Sequence, residues 1–248
     1  MSFRNKVAVV TGGAMGIGEA TARAFLKAGA RVAVLDLAKP KGKGGLFVRC
    51  DVSKSSDVAK AFKKVFSKFG GVDVLVNNAG IARYATVTES TEKEWDVILG
   101  VNLKSAFLCS KHAIPSMLER GGGVVVNVSS VQAFLSQNKV AAYTTSKTAL
   151  LGLTRSIAVD YAPKVRCVAV CPGTVDTPMQ RWAVSQSPDP AAVLQECVDM
   201  HPLKRIATAG EVADLILYLS GPKAAFITGQ AFRIDGGLGL SIAGSKRD

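Results

Sequence analysis

Seven short apolar runs, rich in β-branched residues and free of polar alternation, recur along the chain with helical patterns between most of them. They are Lys6–Thr11, Arg31–Leu37, Leu46–Asp51, Val72–Asn77, Val124–Ser129, Val165–Cys171 and Ala231–Asp235. A strand without alternation is buried on both faces, as in a parallel sheet covered on each side by helices. Apolar residues at three-to-four spacing mark helices over Gly16–Ala28 and Ser55–Phe69. Further helices are expected over Thr91–Glu119, in one or two pieces with Pro115 as the place for a kink, over Ala142–Tyr161 and over Ala209–Leu219. The alternation predicts an α/β architecture: a doubly wound, seven-stranded parallel sheet flanked by helices, as a single domain over residues 1–248.

Two connections break the pattern. Eight residues, Ala38 to Gly45, join the second and third strands, with three glycines and Pro40 among them. A parallel crossover ordinarily takes a dozen residues or more, so a helix-poor loop is expected there. The other is an irregular stretch from Thr174 to Thr208, holding Pro178, Pro188, Pro190 and Pro202. An excursion of that length inside a domain is expected to be a lid or binding region.

Composition narrows the function classes. Lys and Arg exceed Asp and Glu by twelve charges, but the basic residues are dispersed. The densest group is Lys39, Lys41 and Lys43, and no zinc-finger spacing or aromatic-rich basic strand accompanies it. A solvated basic surface is expected, with no nucleic-acid partner. No apolar run is long enough to span a bilayer, and none near the start suits a signal peptide, so no membrane partner and a cytoplasmic location are expected. Five irregularly spaced cysteines and two histidines offer neither a disulfide framework nor a metal site.

Directly after the first strand comes Thr11-Gly12-Gly13-Ala14-Met15-Gly16-Ile17-Gly18, within which a helix begins. Glycines in such a turn let backbone N–H groups approach a pyrophosphate, and the helix N-terminus faces it with partial positive charge. The second strand ends in Asp36, followed by Leu37. A carboxylate there accepts hydrogen bonds from the ribose hydroxyls of an adenosine and repels a 2′-phosphate, which favours NAD over NADP. The residue types alone also allow Asp36 to be a strand-end cap.

Tyr143 and Lys147 stand four apart at the start of a helical pattern and so share one face. Ser130 closes the fifth strand, at the edge where open α/β sheets bind ligands. With Thr11-Gly12-x3-Gly16-x-Gly18, Asp51-Val52, Asn77-Asn78-Ala79-Gly80, Asn102 and Pro172-Gly173-x3-Thr177, the sequence resembles the short-chain dehydrogenase/reductase family, one-domain Rossmann-type oxidoreductases, over nearly its whole length.

The resemblance implies the following roles. Tyr143 is the general acid/base, Lys147 lowers its pKa and holds the nicotinamide ribose, Ser130 holds the substrate oxygen, and Asn102 positions a water leading from Lys147 to solvent. As a residue alone, Asn102 remains open to a structural role. The nicotinamide cofactor lies against Gly12, Met15, Gly16, Ile17, Gly18, Asp36, Leu37, Cys50, Asp51, Val52, Asn78, Ala79, Gly80, Pro172, Gly173, Val175 and Thr177. Asp51 and Val52 flank the adenine, and Pro172, Gly173 and Thr177 belong to the loop that fixes the carboxamide. Ser129 is expected to satisfy backbone groups, His112 to be an ordinary helical residue and His201 a lid residue.

For the small-molecule substrate, Gln132, Gln137 and Trp182 join Ser130 and Tyr143, with Arg83 and Met179 nearby. Gln132, Gln137 and Arg83 offer hydrogen bonds suited to a polyol or sugar, and Gln132-Ala133-Phe134, the long lid and Asp235-Gly236-Gly237-Leu238 are similar to the family's sugar and polyol dehydrogenases. The expected activity is therefore NAD-dependent hydride transfer at a secondary alcohol of a sugar or polyol. A 3-oxoacyl-carrier-protein reductase is the alternative, and a non-catalytic NAD-binding regulator is an alternative of another class. The resemblance also implies a homotetramer built through Lys104–Leu118, Ala149–Tyr161 and the C-terminal segment.

Overall fold

The computed structural model describes residues 2–42 and 44–240; Lys43 and positions 241–248, part of the expected subunit interface, lie outside the described residues. Along the chain come β1 (Val7–Thr11), α1 (Gly16–Lys27), β2 (Arg31–Asp36), β3 (Leu46–Arg49), α2 (Ser55–Phe69) and β4 (Val74–Asn77). Then follow α3 (Glu92–Leu99), a π-helical turn (Gly100–Lys104), α4 (Ser105–Glu119), β5 (Gly123–Val128), α5 (Ala141–Tyr161) and β6 (Val165–Pro172). The remainder is β7 (Val175–Asp176), α6 (Pro178–Ser185), α7 (Pro190–Asp199), β8 (Ala207–Thr208), α8 (Ala209–Ser220) and β9 (Ala231–Ile234).

The seven expected strands form one sheet in the order β3-β2-β1-β4-β5-β6-β9, every neighbouring pair parallel. The missing alternation has a direct cause. Val7 and Val9 of β1 pack on one face with Phe62, Met117 and Ile157, whereas Ala8 and Val10 pack on the other with Phe25, Ile216 and Leu219. Both faces are core, so neither set of alternate positions is polar. The β2–β3 connection contains no helix among its described residues, as its glycines and proline require.

Two expectations are corrected. The long helical stretch runs from α3 through the π turn into α4 without a break, and Pro115 lies inside α4 without interrupting it. The π turn carries Asn102 inward, where it is 2% exposed. The stretch 174–208 is not irregular. Thr177 and Asp189 cap α6 and α7, each followed by a proline in the first turn, and Val175 pairs with Ala207 in a two-stranded parallel ladder. Pro178 and Pro190, which read as breakers, are helix starts. No helix among the described residues is long and apolar enough to cross a membrane.

Candidate active site

The C-terminal ends of β1, β4 and β5 meet in a tight polar junction. Thr11 Oγ1 accepts from the backbone N–H groups of Asn78 (3.0 Å) and Ala79 (3.1 Å). The Asn78 amide donates to the carbonyls of Thr11 and Gly12, both at 3.0 Å. Thr11 and Asn78 thus tie the glycine-rich turn to the end of β4. A Cβ at Gly12 would lie 2.8 Å from Ala79 Cα, and one at Gly18 would overlap the Gly12 carbonyl oxygen. Only glycine lets α1 start this close to β1. No side chain caps the N-terminus of α1 at Met15, so its amide groups remain directed at the turn.

Asp36 ends β2 with both carboxylate oxygens engaged: one accepts from Ala14 N–H at 2.9 Å, the other from Ala38 N–H at 3.0 Å. The cap that the residue type allowed is present. It also points the carboxylate at the glycine-rich turn, and each oxygen keeps a further acceptor position. Leu37, Lys39 and Lys41 beside it are exposed, Leu37 at 62%. Asp51 accepts from the N–H and hydroxyl of Ser53, which hold its carboxyl below the usual range and anchor the turn into α2. Cys50 and Val52 on either side are buried, and burial pushes the Cys50 thiol up to about 12.

Beyond Gly80 lie the expected catalytic residues. Lys147, one turn beyond Tyr143 on α5, is 4% exposed and donates from Nζ to the Val128 carbonyl at 2.9 Å. Burial lowers its pKa to about 8. Its Nζ lies 5.6 Å from the centre of the Tyr143 ring and within 3.4 Å of the position a Gly80 Cβ would occupy. Contacts therefore run without a gap from the glycine-rich turn through Ala79 and Gly80 to Lys147. Burial raises the Tyr143 phenol above its ordinary value; the neighbouring Ser130 hydroxyl opposes this and Tyr84 adds to it. Ser130 Oγ, at the end of β5, also accepts from Gln132 N–H at 3.1 Å.

Asn102 uses its whole amide on protein. It accepts from Ile81 N–H (2.8 Å) and donates to the Ile81 carbonyl and Ser146 Oγ (3.0 Å each). Ser146 in turn donates to the Tyr143 carbonyl at 2.7 Å. The Asn102 side chain thus joins the loop after β4 to the first turn of α5. Ser129, as expected, serves backbone, donating to the Lys147 carbonyl at 2.7 Å. Cys171, pushed up to about 11 by burial, sits near Lys147 as a neutral thiol.

The cleft mouth is formed by the loop after β4, the 131–140 segment and α6. Gln132 and Gln137 bond each other at 2.9 Å. Trp182 stacks on Tyr84 (centroids 6.4 Å apart, planes at 21°), and the Arg83 guanidinium lies 5.5 Å from the Trp182 ring centre. Tyr84, an unpatterned loop tyrosine, gave no sequence signal of its own, whereas His201, expected as a lid residue, is buried behind the lid. His112, by contrast, is the ordinary helical residue expected, stacked on Phe62. Pro172, Gly173, Val175 and Thr177 line the far wall, where Thr177 Cβ lies 3.3 Å from the position of a Gly16 Cβ.

Comparison with known proteins agrees with this geometry. A family model described as enoyl-(acyl carrier protein) reductase matches residues 12–239. An uncharacterized oxidoreductase from Thermotoga maritima is 41% identical, covering 96% of this chain and 98% of its own. The 2-(R)-hydroxypropyl-CoM dehydrogenase of Xanthobacter autotrophicus is 41% identical, covering 94% and 98% respectively. The ligand-free structure of Thermoplasma acidophilum aldohexose dehydrogenase superposes with a TM-score of 0.95 at 40% identity, covering 99% of this chain and 98% of that one.

Proposed function

Because the chain belongs to the short-chain dehydrogenase/reductase family, and so is an oxidoreductase that binds a nicotinamide cofactor, we propose that it oxidises a secondary hydroxyl of a sugar or polyol with NAD. The observation that carries this is the meeting of Tyr143, Lys147 and Ser130 beside the glycine-rich turn. The turn fits a dinucleotide: it has no side-chain cap at α1, glycines at 12 and 18 that let α1 start close against β1 and β4, and a carboxylate at Asp36.

The nicotinamide ring, when bound, takes or gives the hydride. The chain's residues do the rest. Ser130 Oγ orients the substrate oxygen, and Tyr143 Oη takes the hydroxyl proton as the hydride leaves. A phenol raised by burial is a poor base at neutral pH, so positive charge near it is needed when it acts. Lys147, close to Tyr143 and titrating near 8, supplies part of that charge and can exchange a proton itself. Asn102 acts by bracing Tyr143 through Ser146 and the Ile81 backbone. Residues 174–208 form the lid, closed on the cleft through Trp182 and Tyr84, with Gln132 and Gln137 able to exchange their mutual bond for substrate hydroxyls.

Support for a sugar comes from the aldohexose dehydrogenase likeness and the paired glutamines; support for NAD comes from Asp36. The test is a panel of aldoses, polyols, simple secondary alcohols and 3-oxoacyl thioesters with NAD(H) and NADP(H), followed at the reduced-nicotinamide band. Turnover of aldoses or polyols with NAD is expected. Turnover only of 3-oxoacyl thioesters with NADPH would replace this reading with the reductase. We further propose a cytoplasmic homotetramer joined through α4 and α5, whose outer positions Phe107 and Val159 are 49% and 78% exposed. A monomeric mass by light scattering would refute the assembly.

A further inference from the structure

His201 follows the end of α7, just before Pro202, and is 2% exposed. Its two ring nitrogens face different segments. Nδ1 lies against the carbonyl of Cys197 in α7, and Nε2 accepts from the backbone N–H of Thr174 at 3.2 Å. A backbone amide only donates, so Nε2 carries a lone pair. The ring is therefore the neutral tautomer with its proton on Nδ1, given to Cys197. The ring fills a slot between the exits of β6 and β9. A Cβ at Gly173 would come within 2.8 Å of Nε2 and 2.9 Å of Asp235 Cα; a Cβ at Gly236 would come within 3.3 Å of Cδ2.

Thr174 is the point where β6 hands over to the lid. Its carbonyl accepts from Ala207 N–H at 2.9 Å, and Gly173 N–H donates to the Ile234 carbonyl at 3.0 Å. Among the described residues, the Thr174 amide donates to His201 alone. From α7 a further link runs back to α6, where Gln180 Nε2 donates to Cys197 Sγ at 3.3 Å. The imidazole thus ties α7 to the start of the segment that faces the glycine-rich turn through Thr177.

We propose that His201 is a positioning residue for the nicotinamide half of the cofactor: by holding the Thr174 amide it pre-orders Val175–Thr177 opposite the phosphate-binding turn. The proposal rests on the nicotinamide-cofactor reading of the site. It touches neither substrate nor reacting atoms; it lowers the ordering that binding would otherwise require.

Two conservative variants separate the two bonds. In His201→Gln the longer amide places an acceptor near Nε2 and keeps Thr174. In His201→Asn the shorter amide reaches only Cys197. NADH, NADPH and ADP-ribose are titrated by calorimetry against wild type and both variants. For whichever dinucleotide wild type binds more tightly, His201→Asn weakens binding about tenfold, the scale of one buried hydrogen bond. ADP-ribose, lacking the nicotinamide, binds within about twofold of wild type, and His201→Gln stays within about threefold for every ligand, both inside the scatter expected of a spared bond. Parallel weakening of dinucleotide and ADP-ribose, or unchanged dinucleotide affinity in His201→Asn, overturns the proposal. Wild-type protein that bound neither dinucleotide would remove the cofactor reading beneath it.

Discussion

Replacing Lys147 by methionine should abolish turnover and yet stabilise the fold at neutral pH. Holding an ammonium in a site where it titrates at about 8, against an ordinary 10.5, costs folding about 3 kcal/mol below pH 8. Lys147→Met removes that cost with little change of volume. It also strands the Val128 carbonyl, which loses its 2.9 Å bond, at about 1–2 kcal/mol. The net gain is about 1–2 kcal/mol, or roughly 2–8 °C in Tm for a chain this size. The sign with pH follows from the lowered pKa. Between pH 8 and 10.5 the unfolded chain binds the proton that the folded one has lost, so wild-type stability rises with pH through that window. The advantage of Lys147→Met is therefore full at pH 7 and fades towards pH 10.5. Thermal melts of both proteins at pH 7 and pH 10, monitored by circular dichroism, measure this. A variant less stable than wild type at pH 7, or a difference that does not change with pH, would refute the reasoning.

Other outcomes follow from the same geometry. Asp36→Asn loses one charge-assisted acceptor and can serve only one of the Ala14 and Ala38 amides. NADH should bind about 10–100-fold more weakly, and removal of the negative charge should shift preference towards NADPH; an unchanged ratio of the two affinities would contradict the role of this carboxylate. Tyr143→Phe should lower kcat by about 10²–10⁴ with NADH affinity within a few-fold, and turnover near wild type would assign the proton to another group. Asp73, 4% exposed, accepts from Arg120 (2.9 Å), Lys6 (3.2 Å) and Val7 N–H (2.8 Å), and these bonds outweigh burial to hold its carboxyl below its ordinary value. Asp73→Asn should cost about 2–4 kcal/mol in urea melts at pH 7. Because the folded pKa is the lower one, the deficit is present above about pH 4 and closes as pH falls through the folded value; a gap that persists under acid would argue against it.

Asn77, expected at a strand-end turn, illustrates how local and distant order combine. It ends β4 as expected, but its amide donates to Asn127 (2.9 Å) and Ser110 (3.3 Å) in a buried polar seam that extends to Thr154. The strand end was legible from its pattern; its partners stand far away in sequence and were not. Asn102 shows the same division. Its position near the cofactor cleft follows the family motif, whereas the π turn that buries it and commits its amide to Ile81 has no local signature. The lid was legible as an excursion and illegible as two capped helices, because proline marks breaks and first turns alike.

What the sequence by itself determined is whatever depends on near neighbours along the chain: strands with no polar face, hence a sheet covered on both sides; the glycine turn into α1; the carboxylate ending β2; and the phenol and amine one helical turn apart. What only the tertiary structure decided is which distant groups meet and how dry they are. Ser130 approaches Tyr143 because β5 and α5 pack together, Lys147 falls to about 8 because water is excluded there, and His201 gains Thr174 because three chain segments close around one ring. Spacing along a backbone is local geometry; burial and long-range pairing are properties of the packed whole.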